Sequence, residues 1–363
     1  MLSLFRVKVG HYSLITPSSI YTMTHQAAWI KSKNAVLEVG QFETPSPGPE
    51  GLLVKVEAIA FSPVESKVQR FEVHPIKYPH ILGFSFAGTV QAVGPDAEGF
   101  AKGDRITTLR PHSKLNDNRF GAFQQYALAS VHSSAKLLPN TTLEAGAATI
   151  LNLATITAAF SVFQGLNRPS LSDSPSSKGQ KILVYGGSSS CGGLAIRYAA
   201  AAGYEVVTTS SPKNMNDVAS LKPNVIIDHT KPAGEVVKAL QGHGSYYRIL
   251  DTIGVPSVTK ILADYLSSVG GGSYNTLIPV LPGTDPLPDN VERKFESYGW
   301  AISQDESLQE WFYNKLLPKG LESGIIVPTK PRWIEGGLHA TQRALDMMHN
   351  GEVSGCKFIL SPW

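Results

Sequence analysis

Apolar and polar positions follow two different rhythms along this chain. From Gln26 to about residue 135 the apolar positions come in short, strand-like runs, as in LLVKVEAIAF (52–61) and FAGTVQAV (86–93). These runs are broken by PSPGPEG (45–51) and VGPDAEGF (93–100). Runs of that length closed by Pro and Gly predict strands joined by turns. No regular strand-then-helix alternation occurs among them, so this half reads as an irregular β-rich domain.

The rhythm changes after LEAGAATILNLATITAAFSVF (143–163), which reads as helix, and the polar, proline-bearing loop NRPSLSDSPSSKG (167–179). KILVY (181–185), YEVVTTS (204–210), NVIIDHT (224–230), YYRILDTIG (246–254) and SYNTLIPV (273–280) read as strands. LAIRYAAAAG (194–203), MNDVASL (215–221), AGEVVKALQ (233–241) and SVTKILADYLSSV (257–269) read as the helices between them. Such alternation builds right-handed βαβ units on a parallel sheet, and runs like ILVY and VII suit strands covered on both faces. The expected fold class is α/β, a doubly wound parallel sheet beside the β-rich domain. The tail GGLHATQRALDMMHNGEVSGCKFILSPW (336–363) predicts an amphipathic helix stopped at Asn350-Gly351 and a last strand. It returns most simply to the β-rich domain. The expected division is 1–22 as an extension, 23–151 and 325–363 as the β-rich domain, and 152–324 as the parallel-sheet domain.

Composition narrows the function classes. With 42% hydrophobic and 17% charged residues over 363 positions, the chain has material for two buried cores. A net charge of +3 without a dense Lys or Arg run offers no face for nucleic acid or a membrane surface. No apolar run approaches the ~18 residues of a membrane span. The two cysteines, Cys191 and Cys356, lie far apart and form no C-x-x-C pair, which excludes a disulfide framework and a thiolate-rich zinc site. A reducing, cytoplasmic setting is expected. The first 22 residues hold Arg6 and Lys8 and no acid. Two readings stand: a weak organelle-targeting pattern, or an upstream start before the natural-looking MTHQAAWI at Met23.

Candidate chemistry begins at VYGGSSSCGG (184–193), where a predicted strand turns into a helix. Backbone N–H groups and the positive helix end meet at such a turn and make a phosphate site. Small residues let a pyrophosphate approach, and Gly186, Gly187, Ser188, Ser189, Ser190 and Gly192 meet that need. As G-x-x-S-x-x-G, the turn puts Gly186, Ser189 and Gly192 at the key steps. The alternative is a flexible loop without a ligand, against which stand the strand before it, the helix after it and three further βα units. An NAD site would place an acid at the end of the second strand, on the ribose 2′-OH. That strand runs instead into TTSSPKNMN (208–216), and the first acid is Asp217. Ser210, Ser211 and Lys213 suit a 2′-phosphate, although Lys213 also reads as an ordinary exposed lysine. The expected cofactor is NADPH.

From about Gln26 to Trp363, this order of a β-rich half, a dinucleotide half and a return resembles the medium-chain dehydrogenase/reductase superfamily. FSPVESK (61–67) is similar to the N-P-x-D-x-K motif of its zinc-free quinone and enoyl reductase branch. LGFSFAGTV (82–90) is similar to the branch's G-x-D-x-A-G segment and GAFQQYA (121–127) to its G-A-F-x-x-Y element. YGGSSSCGG, TSSPKN (209–214), LDTIG (250–254) and GGLHATQRALDMMHNGEVSGCKFI (336–359) match as well, most narrowly the fungal trans-acting enoyl reductases that serve polyketide synthases. Ser62, Glu65 and Ser85 stand where the family has Asn, Asp and Asp, and His229 where Tyr is common. Pocket and ribose contacts are therefore expected to be re-tuned.

The resemblance implies a Rossmann domain with a GroES-like partner and an NADPH-dependent reductase without metal. Phe61-Ser62 and Gly83-Phe84-Ser85 occupy the places where zinc relatives carry Cys and His, and the lobe with four cysteines is absent. By the same resemblance the cofactor is lined by Pro63, Val64 and Glu65, by Ser188, Ser189, Ser190 and Cys191, and by Ser211, Pro212, Lys213 and Asn214. His229, Thr276, Leu277, Val353 and Ser354 complete that set. The expected reaction is conjugate reduction: hydride to the β-carbon of an α,β-unsaturated carbonyl, a donor for the charge on oxygen, and a proton for the α-carbon. Lys67, in the family's lysine position, is the candidate for either role, the donor to oxygen or the source of the α-carbon proton, with a surface lysine as the alternative. Thr155 and Thr157 fall where the family faces nicotinamide and substrate, Thr157 also being a catalytic candidate; threonines bonded to a helix carbonyl are the competing account. Tyr126 is expected as a packed residue beside the cofactor more than as a proton donor, and Cys191 as a small turn residue, not a nucleophile. The implied substrate is an enoyl thioester on the acyl carrier protein of a partner synthase. A free-standing quinone or enone reductase and a catalytically silent NADPH-binding partner protein are the alternatives.

Overall fold

The computed structural model describes residues 23–172 and 175–363, and the expectations for the 1–22 extension lie outside them. The β-rich half forms around the strand Gly51–Ala60, whose two edges are both taken. On one side run Ser85–Val93, Arg105–Leu109 and Ser134–Lys136, all antiparallel. On the other lie Lys357–Leu360 and Tyr126–Ser130. A smaller sheet of Glu38–Glu43, Thr24–Ile30 and His80–Ile81 covers the open end. Val54, Val56, Ile59, Phe86, Val90, Phe123 and Phe358 share one apolar core; strands alternate their faces, and an irregularity between Val56 and Ala58 shifts the inward set of the central strand from even to odd positions. At Gly88 a Cβ would stand 2.0 Å from the Lys55 carbonyl oxygen, so only glycine lets these two strands approach at that point.

The second half is a six-stranded parallel sheet in the order Val225–Asp228, Glu205–Ser210, Lys181–Tyr185, Arg248–Asp251, Gly272–Thr276, Val291–Phe295. Helices cover both faces, and the strands in between contribute Leu183 to one core and Ile182 and Val184 to the other. The order turns back on itself at Lys181–Tyr185, the switch point at which doubly wound sheets bind ligands. Val291–Phe295 (VERKF) is a strand the hydrophobic pattern did not reveal, because it is the sheet edge and buries only Val291.

Between the halves runs helix α2, Leu143–Thr157, started by the Thr142 hydroxyl accepting the Ala145 N–H at 3.2 Å and continued as a π-helical segment, Ala158–Phe163. The expected boundary between residues 151 and 152 falls inside this helix. Its Ala147 and Ala148 pack on Ala58, Ala87 and Ile359 of the β-rich domain, while Ile150, Leu153 and Ile156 join the core beneath the parallel sheet. Leu143–Phe163 is in fact long and apolar enough, by length and composition, to cross a bilayer, which corrects the expectation that no apolar run approaches that length. The physical reason is its double burial: 72% of that window lies inside the protein, and a helix covered on both sides is apolar all round. The tail forms a short 3-10 turn, Gly337–Ala340, the helix Thr341–His349 and the strand Lys357–Leu360, whose Ile359 and Leu360 pair with Ala60 and Ile59.

Candidate active site

Helix α1, Pro63–Phe71, begins the site. Proline stands at its first position, where a missing N–H costs nothing, and Glu65 Oε2 accepts the Ser62 N–H at 2.8 Å, half of a capping box. The other carboxylate oxygen accepts the Phe84 N–H at 3.3 Å. Glu65 is fully buried, and burial pushes its carboxyl up to about 7 against the pull of the Lys357 charge and the backbone donors. Its oxygens hold α1 to the segment before Ser85. Pro63 is exposed and Val64 half-buried. Lys67, in the next turn, is half-buried; burial lowers its pKa, and among the described residues it has no hydrogen bond or ion pair.

The glycine–serine turn follows Lys181–Tyr185 and enters helix α3, Ser190–Ala201. Ser189 is its N-cap: the hydroxyl accepts the Gly192 N–H at 2.9 Å and bonds the Thr252 hydroxyl at 2.8 Å. Gly186 and Gly187 donate to the Thr209 hydroxyl and carbonyl, each at 2.9 Å. The turn is thus tied to two neighbouring strands. A Cβ at Gly192 would lie 2.1 Å from the Gly186 carbonyl oxygen, and one at Gly187 2.4 Å from the Thr208 hydroxyl. Gly186 holds φ +91°, a conformation open chiefly to glycine. The N–H groups of Ser190 and Cys191, at the start of α3, have no partner among the described residues, as expected of the first donors of a helix. This cradle fits a dinucleotide pyrophosphate: glycine lets the turn fold closely on itself and on the neighbouring strands, and the unpaired N–H groups sit at a positive helix end. Cys191 is half-buried and packs against the core beneath the parallel sheet, and burial pushes its thiol up to about 11.

The end of the second strand lies alongside. Ser210 is buried, its hydroxyl donating to the Ser211 carbonyl at 3.1 Å; Pro212 and Lys213 are exposed. Asn214 donates to the Ser354 hydroxyl at 3.2 Å, so TSSPKN and the Val353-Ser354 step meet although 140 positions separate them. Asp228, in register with Ser210 on the third strand, accepts the Thr230 N–H and hydroxyl at 2.9 and 2.7 Å. His229 lies parallel to Tyr185, ring centroids 6.3 Å apart, and burial lowers its pKa, so it is neutral at pH 7. Thr276 donates to Asp251 at 3.3 Å, and Leu277 is half-buried beside the core. Asp251 itself, fully buried, accepts the Ile253 and Gly254 N–H groups at 2.9 and 3.0 Å. It shapes the LDTIG turn, a positioning task that sequence reasoning did not single out.

Thr155 is half-buried and donates to the Leu151 carbonyl one turn back at 3.0 Å; Thr157 is fully buried in the core. Tyr126 packs edge-on against Trp363 and His25, each with centroids 5.7 Å away, in the β-rich domain. Sequence reasoning also missed Lys357 and Asn152, both buried between the two halves. The available signal was a lone cation in the apolar run KFIL. Among the described residues no group of three or more His, Cys, Asp or Glu gathers to hold a metal ion.

Residues 48–139 match the alcohol dehydrogenase GroES-like domain. Dehydrogenase azaJ of Aspergillus niger is 32% identical over 350 residues, covering 93% of this chain and 99% of the relative. Trans-enoyl reductase himH of Aspergillus japonicus is 32% identical over 345 residues, covering 93% and 98%. Among solved structures, a mycobacterial protein complexed with NADPH superposes with TM-score 0.73 at 21% identity over 93% of this chain and 100% of its own. The quinone oxidoreductase of Pseudomonas syringae gives 0.72 at 20% identity over 93% and 100%. Fold and site define a two-domain medium-chain dehydrogenase/reductase. The chain belongs to that superfamily of oxidoreductases, in the family of fungal dehydrogenases and trans-enoyl reductases that includes these two Aspergillus proteins.

Proposed function

We propose that the chain is an NADPH-dependent, zinc-free reductase of α,β-unsaturated carbonyls, acting in trans as the enoyl reductase of a fungal polyketide synthase. The observation that carries the reading is the tied glycine–serine turn with its unpaired helix N–H groups, next to a second strand that ends in hydroxyls and the exposed Lys213. Asp228, the acid nearest in register, has one carboxylate oxygen bonded twice to Thr230, which leaves Lys213 as the charge suited to a 2′-phosphate. When bound there, NADPH supplies the hydride. The chain's own contributions are positional and electrostatic: the turn takes the pyrophosphate, Ser211, Lys213 and Asn214 the adenosine phosphate, and Lys67 the substrate oxygen. A half-buried lysine with no partner among the described residues and with a lowered pKa gives a proton more readily than a surface one, so Lys67 stabilises the enolate or hands on the proton for the α-carbon. Thr155 of α2 offers a second polar group, although its hydroxyl donates to the Leu151 carbonyl, and Thr157 lies fully buried in the same helix.

The names of the fungal relatives support an enoyl thioester presented by an acyl carrier protein. Two unpaired cysteines suit a cytoplasmic setting, and we divide the chain as 23–151 with 325–363, and 152–324, joined through α2. The fold's likeness to quinone oxidoreductases favours the second reading, a free-standing quinone or enone reductase. The experiment follows NADPH oxidation by purified protein with an α,β-unsaturated acyl pantetheine thioester in one cuvette and a simple quinone in another. Consumption with the thioester alone supports the enoyl-reductase reading, and consumption with the quinone alone supports the second. NADPH binding without turnover of either overturns both in favour of a silent binding protein.

A further inference from the structure

Lys357 stands in the last strand within the apolar run KFIL and is 3% exposed. A cation so placed must be bonded or it costs far more than an aliphatic side chain in the same space. Its Nζ donates to the Ser62 hydroxyl at 2.6 Å and to Asn152 Oδ1 at 3.4 Å. Ser62 is the N-cap of α1, the helix that carries Lys67, and Asn152 belongs to α2, the helix that carries Thr155. Burial pulls the ammonium's pKa down, and the Glu65 carboxyl of α1, which accepts the Ser62 N–H, and the Cys191 thiol at the start of α3 are the charges that pull it back up. One buried amine therefore bonds two elements that carry the candidate chemistry, from a strand 295 positions beyond Ser62.

We infer that Lys357 is a positioning residue of the reductase site: bonded to Ser62 and Asn152, its ammonium joins α1 to α2 beside the glycine–serine turn and sets where Lys67 stands against the cofactor. The inference rests on the reading of the cleft as an NADPH reductase.

Two variants test it. Lys357→Met with Glu65→Gln removes both buried charges together, a change that folded proteins often tolerate. Ser62→Ala leaves both charges and removes only one acceptor. Three quantities are read: NADPH affinity by fluorescence, kcat with the acyl thioester, and the rate at which acetic anhydride acylates Lys67, followed by mass spectrometry. Ser62→Ala is expected to bind NADPH within about threefold of wild type, and in both variants kcat falls at least about tenfold and Lys67 acylation changes about threefold or more. Wild-type kcat and unchanged Lys67 acylation in either folded variant would overturn the inference. If the double variant does not fold, Ser62→Ala decides alone. If the wild type neither binds NADPH nor turns over, the reductase reading fails; Lys67 acylation then judges Lys357 by itself, a changed rate supporting its role and an unchanged rate ending it.

Discussion

At the scale of single residues, burial and charge separate groups that look alike in sequence. Lys67, Lys213 and Lys357 are three lysines with three environments: half-buried with no partner among the described residues, exposed, and buried with two acceptors. Replacing Lys67 with Ala is expected to lower kcat by about 10²-fold or more, with NADPH affinity nearly unchanged, as steady-state kinetics and fluorescence titration will show. Lys213→Glu acts on the other parameter. It removes a charge-assisted contact and adds repulsion, so NADPH affinity should fall at least about tenfold while NADH affinity holds; a parallel fall for both cofactors would refute the 2′-phosphate role. Glu65 carries the pH dependence. Its folded pKa, about 7, lies above its ordinary 4.5, so its contribution to stability is full below about 4.5 and is lost as pH rises through about 7. The stability advantage of wild type over Glu65→Gln should therefore shrink across that window in urea denaturations run at a series of pH values. The glycine–serine turn and Lys213 were legible beforehand because each depends on neighbours within a few positions. The burial of Glu65 and of Thr157 was not, since exposure is set by segments far away in the chain.

At the scale of elements, what the hydrophobic pattern revealed and what it hid follow from coverage. Strands buried on both faces, such as Lys181–Tyr185, show continuous apolar runs and were read directly. Val291–Phe295, exposed at the edge, shows almost none. The helix α2 was recognised, but its role as a shared core between the halves came only from its packing. The turn before α3 depends on its small residues. At Gly192, alanine puts a Cβ within 2.1 Å of the Gly186 carbonyl, and overpacking of that kind costs about 1–3 kcal/mol. Gly192→Ala is expected to abolish measurable NADPH binding in calorimetry while circular dichroism still reports a folded α/β protein. Unimpaired binding would mean that the turn is not the phosphate site.

At the scale of the whole molecule, the two halves are held together away from the turn as well. Trp300, which follows the edge strand of the parallel sheet, packs against His74 and His112 of the β-rich domain with ring centroids at 4.9 and 4.1 Å. Trp300→Ala removes about 1 kcal/mol of aromatic pairing and should lower the melting temperature by about 2–4 °C in differential scanning calorimetry; no shift would show that the pairing does not couple the halves. The sequence by itself determined the βαβ rhythm, the small-residue turn and the absence of an acid where the second strand ends. These depend on periodicity, sterics and hydrogen bonds within about ten residues of chain. Only the tertiary structure decided that Lys357 meets Ser62 across 295 positions and that Asn214 meets Ser354 across 140. It also decided which oxygen of which buried side chain is already spoken for, because side-chain partners at long range are chosen by how the two domains close on α2 and not by any local pattern.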